Sequence, residues 1–169
     1  MAKFFVKGAA IAAVAAMGLT ANAAHAANAT ASAKANILKS VAVTKTADLD
    51  FGTIAPSNTA VSTVQVSAAG AVTCGTGLVC SGATSAAGFE ISGANGQTVS
   101  ITSDASVTLN NTTTAGTSMT ASLTPNSSTM LLTATPANNA FKVAGTLSVA
   151  PGQAEGAYSG TFTVNVNYQ

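Results

Sequence analysis

Arginine and tryptophan are absent from this chain, histidine occurs once, at His25, and charged residues make up 7% of the 169. Each shortage excludes something. With no basic stripe, nothing is available to hold nucleic acid or an acidic surface. Beyond the first two dozen residues no stretch approaches the roughly 20 continuous apolar residues that a spanning helix needs. Past that point the aromatics are Phe51, Phe89, Phe141, Phe162, Tyr158 and Tyr168. They are too few for the two aromatic girdles of a transmembrane barrel.

The amino-terminal residues read as a leader. Lys3 and Lys7 precede an Ala/Val/Ile run that ends at Leu19, and Ala24-His25-Ala26 forms a small-x-small cleavage site. This is the pattern of a secretory signal peptide, residues 1–26, cut after Ala26 with Ala23 as the second site. The expected location is therefore secreted or at the cell surface, by way of the periplasm, with no membrane span in the mature form. Cleavage removes His25, and the exported chain keeps Lys34, Lys39, Lys45 and Lys142 against Asp48, Asp50, Glu90, Asp104 and Glu155. A surface so poor in charge suits a subunit that stays packed against others better than a free monomer.

What the chain does have is alternation. The segment "ANATASAKANILKSVAVTK" places Ala29, Ala31, Ala33, Ala35, Ile37, Val41 and Val43 on odd positions with polar residues between them. That is a strand pattern, and Leu38, Lys39 and Ala42 break it. It reads as two strands with a bend, or as one short strand preceded by an arm, residues 27–37. In "ADLDFGTIAPSN", Leu49, Phe51 and Ile54 are core candidates and Gly52, Pro56 and Asn58 are turn residues. Strand candidates then recur at sandwich spacing: 61–66, 71–74, 88–91, 98–102, 106–109, 118–123, 130–135, 141–149 and 157–168. No window shows helical periodicity. The expectation is an all-β antiparallel sandwich over residues 38–169.

The last two candidates read as a long hairpin. Phe141, Val143, Leu147 and Val149 alternate on one arm, Tyr158, Phe162, Val164, Val166 and Tyr168 on the other, and "APGQAEG" lies between. Gly145 and Gly160 interrupt the apolar faces, as a bulge or a close backbone approach does. An alternating strand at the chain end either pairs inside the fold or is covered by a partner.

Chemistry is scarce. Cys74 and Cys80 bracket "GTGLV", a spacing that closes a small structural disulfide loop at a hairpin tip. A zinc site would need further ligands, and a catalytic triad would need the histidine lost with the leader. Asp48 and Asp50 flank Leu49 on the solvent side of a strand, without the oxygen-rich loop of a calcium site. No catalytic residue, cofactor or metal is expected.

Two resemblances appear in these residues. "TADLDFGTIA", "GTLSV" and "GAYSGTFTVNVNY" resemble the skeleton of the secreted bacterial family called domain of unknown function 4402, which names no activity. The end of the chain is similar to fimbrial subunits of the chaperone–usher pathway, with a glycine fourteenth from the end, Gly156, and a penultimate tyrosine, Tyr168. That likeness implies an incomplete immunoglobulin-like, pilin-like sandwich. Its groove is filled first by a periplasmic chaperone, which hands it to an outer-membrane usher, and then by the amino-terminal arm of the next subunit. Carried over, Gly156 opens the last strand, Phe162, Val164, Val166 and Tyr168 line the groove edge beside Tyr158, and Ala29 to Ile37 form the donor arm. The resulting expectation is an exported, non-enzymatic subunit of a pilus or surface filament, partnered by copies of itself or related subunits. The alternative is a complete secreted sandwich, a binding module or a matrix or coat protein, presenting loops such as 92–96 or 110–116.

Overall fold

The computed structural model describes residues 27–169; the expected signal peptide lies outside the described residues. The chain divides into two units at Ala35. In the first, residues 27–35 carry no regular secondary structure and are solvent-exposed. The second, Asn36–Gln169, is all-β with one short 3₁₀ turn, Pro136–Asn138.

Its strands are β1 (Ala42–Ala47), β2 (Thr53–Ala55), β3 (Ser62–Val66), β4 (Val72–Cys74), β5 (Val79–Ser81), β6 (Ala87–Ser92) and β7 (Thr98–Ser103). They continue as β8 (Ser106–Asn111), β9 (Ser118–Pro125), β10 (Thr129–Leu131), β11 (Ala140–Val149), β12 (Tyr158–Ser159) and β13 (Val164–Tyr168). All pairings are antiparallel. The large sheet runs β1-β6-β11-β9-β8-β12, with β3 also on β11 and β4 on β3. A second sheet runs β10-β7-β13, and β2 and β5 form a separate ribbon.

The period-two pattern explains the layering. Val64, Val66, Ile91, Ala121, Phe141, Val143 and Leu147 of the large sheet are buried with Val99, Ile101 and Val166 of the second. Two facing sheets thus share one core. The intervening Ser and Thr residues form the outer face, where the register sets Thr73, Gln65, Thr146, Ser122 and Ser106 in one transverse row.

Of the two readings of the amino-terminal segment, the structure has the arm followed by one short strand: Ala29 to Ile37 form no strand, and β1 starts at Ala42. Alternating methyls bury too little surface to offset ordering the backbone, and Ile37 is 92% exposed. The long hairpin does not exist. Both edges of β11 are occupied, by β6 and β3 on one side and β9 on the other, so the closing segment pairs instead with β8 and β7. That segment is two strands in two sheets, with Gly160 crossing so close to the Thr108 carbonyl that a side chain would collide. Gly145 is likewise a close approach, a Cβ there falling 2.7 Å from Leu49. The candidate at 130–135 shortens to Thr129–Leu131 because Pro136 opens the 3₁₀ turn. The short strands β2 and β5 have no alternation long enough to read.

Candidate assembly edge and cleft

β13 hydrogen-bonds to β7 along one side only, in the register Val164↔Ser103 to Tyr168↔Val99, and is an outer strand of its sheet. β12 is likewise the outer strand beyond β8. Between them Asp104 holds the connecting chain: its backbone N–H donates to the Thr163 carbonyl (3.0 Å) and its carboxylate accepts from the Thr163 N–H (2.7 Å). Residues 158–168 therefore follow the chain 98–111 across both sheets. Among the described residues no strand pairs with the other edge.

The residues expected on that edge are brought together, facing inward. Val166 is buried, while Phe162, Val164 and Tyr168 are half-buried; Asn165 and Asn167 face solvent. Phe162 meets Phe89 edge to face at 6.3 Å, and Phe89 stacks on Phe141 at 5.3 Å. Tyr168 accepts the Ala94 N–H (2.7 Å) and donates to the Lys39 carbonyl (2.6 Å). It thereby ties the 92–96 loop and the start of the domain to the end of β13.

Gly156 does not open a strand, which corrects that expectation. It sits at φ 135°, where a Cβ would lie 2.6 Å from the Asn111 side chain. Asn111 accepts from the Thr113 and Thr114 N–H groups and donates to the Glu155 carbonyl at 2.9 Å, fixing the 110–116 loop against the 153–158 segment. Tyr158 accepts from the Gln153 amide and donates to the Ala154 carbonyl, both at 2.8 Å. Burial raises its phenol, but the Gln153 amide, with Asn111 and Thr117 nearby, outweighs this and leaves it below the ordinary value.

Beside this segment lies a cleft of about 640 Å³. Leu109, Met119, Leu147 and Val149 from the large sheet face it, and stretches of 49–56 and 153–158 also line it. Asp50 and Glu155 are its charged residues, and no lysine lines it. Nothing in the sequence marked this cleft, because its parts come from five separated stretches.

Cys74 and Cys80 are bonded, Cα atoms 6.0 Å apart. They do not close a hairpin tip, since β4 pairs with β3 and β5 with β2; the bond ties the ribbon to the large sheet. Asp48 pairs with Lys45 (2.6 Å) and Asp50 accepts the Gly52 N–H (2.8 Å). Among the described residues no three His, Cys, Asp or Glu side chains form a metal-ligating group.

Sequence reasoning missed Asn139, which is 0% exposed. Its carbonyl oxygen accepts from the Thr133 N–H and hydroxyl, and its amide donates to the Ile91 and Thr133 carbonyls. In "TPANNA" it reads as one more turn asparagine.

No similar curated protein and no similar solved structure was found. The chain matches, over residues 41–168, the family described as a domain of unknown function, DUF4402, and it belongs to that family.

Proposed function

We propose that this chain is an exported, non-enzymatic structural subunit. It assembles into a pilus or surface filament when the amino-terminal arm of one copy, residues 27–37, pairs as a strand with the next. The carrying observation is the one-sided pairing of β13, whose inward face holds core residues while its other edge has no strand partner among the described residues. An edge of this kind is a template for strand addition. The exposed arm with alternating side chains is a strand donor by pattern, and an incomplete immunoglobulin-like sandwich is the architecture such exchange requires. A periplasmic chaperone and an outer-membrane usher are the corresponding partners, and the disulfide accords with an oxidising compartment.

A second reading is favoured by a specific observation. Val166 is only 8% exposed without any added strand, as in a self-contained binding module or matrix protein. Size and thermal stability of the mature protein with and without residues 27–35, and with the arm restored as a peptide, separate the two. Heat-resistant oligomers that are lost on truncation and regained with peptide support the filament subunit. Stable monomers in both forms refute it.

A further inference from the structure

Three features that the edge alone does not use point one way. The first is the cleft, apolar on its sheet side and bordered by two acids, Asp50 and Glu155, with no compensating lysine. The second is a pair of exposed apolar side chains just ahead of β1, Ile37 at 92% and Leu38 at 39%, flanked in sequence by Lys34 and Lys39. Apolar surface and charge sign are complementary between the two.

The third is distance. The Lys39 carbonyl is held by Tyr168, whereas Leu49 and Tyr158 both line the cleft. Two largely extended paths of ten residues, Lys39 to Leu49 along β6 and Tyr168 back to Tyr158 along β7 and β8, lead from that bond to the cleft, each up to roughly 33 Å at about 3.3 Å per residue. Ile37 reaches at most about 7 Å from Lys39. A subunit's own Ile37 therefore lies at the opposite end of the domain from its own cleft.

The geometry points to a second copy of this chain as the occupant: Ile37 and Leu38 of one subunit seat in the Asp50/Glu155 cleft of the next, with Lys39 beside the acids. This inference rests on the filament reading and gives it a direction. With Ile37 at the Tyr158 end, the eight residues back to Ala29 span about 26 Å, enough to run along the free edge antiparallel to β13.

The test uses the mature full-length chain, with polymer yield measured by sedimentation and domain stability by thermal melting. Ile37→Asp should cut polymer yield at least roughly ten-fold, since a buried isoleucine is replaced by a charge, without shifting the melting temperature of the domain. Glu155→Lys should cut it about five-fold, at the upper end for a part-exposed ion pair, and adding Lys39→Glu should restore it. If Ile37→Asp and Glu155→Lys polymerise like wild type while deletion of residues 27–35 abolishes polymer, the cleft inference is overturned and the donated arm stands. If wild type stays monomeric at every concentration, both fall.

Discussion

Tyr168 closes a contact between the two ends of the domain with a single hydroxyl. It accepts from Ala94 and donates to Lys39, residues that reach it across 74 and 129 positions. Tyr168→Phe keeps the ring but strands both partners, and should cost about 1–2 kcal/mol, read as a lower midpoint in urea unfolding at an unchanged slope. Asn139 is a harsher case. Its four hydrogen bonds lie around a fully buried side chain, and Asn139→Leu leaves the Ile91 and Thr133 groups unpaired. A loss of roughly 3 kcal/mol or more is expected, enough to reduce the soluble yield of folded protein. At Gly156 the backbone angle and the Asn111 contact both exclude a side chain. Gly156→Ala should therefore destabilise by about 1–3 kcal/mol, and hydrogen exchange should show the loss first in the 110–116 loop.

Among the elements, what could be read from sequence was what local pattern controls. Between Ser62 and Leu123, β3, β6, β7, β8 and β9 fall where alternation and turn residues place them, because side chains along each turn alternately into the core and away from it, whereas β5 carries no such pattern. Pairing was not legible. Phe141–Val149 and the terminal segment look like hairpin partners, yet β11 is central and its edges go to β6, β3 and β9; nothing in an alternating strand says which neighbour it takes. Whether the closing strand pairs inside the fold or is covered by a partner was left open by the last fourteen residues, although that they close on an alternating strand was legible. The cleft was not, because it depends on the tertiary meeting of Leu49, Leu109, Met119, Leu147 and Tyr158. The cysteines show the same division, since their bond was readable and its place between ribbon and sheet was not. Reducing a bond that closes so short a loop should cost roughly 2 kcal/mol in the chain-entropy model. Because Cys80 lies opposite Ile54 in the ribbon, proteolysis of the reduced protein should begin in residues 53–81 while β11 stays protected.

At the scale of the whole molecule, scarcity of charge and placement of charge act together. The described residues include a single salt bridge, Lys45–Asp48. An outer sheet face with few charges, Glu90 and Lys142 of opposite sign among them, offers little repulsion between copies. Association should then be governed by which surfaces match in shape, and the filament reading supplies two that differ: an exposed Ile37–Leu38 segment at one end and an acidic cleft at the other. A contact between unlike surfaces leaves one donor and one acceptor unused at the ends of every assembly, so it does not close into a two-fold dimer. Mass photometry of the assembling protein should therefore show a ladder of successive subunit numbers that lengthens with concentration. A single dimeric species that saturates would mean that like surfaces meet, and would set aside head-to-tail strand donation as the mode of assembly.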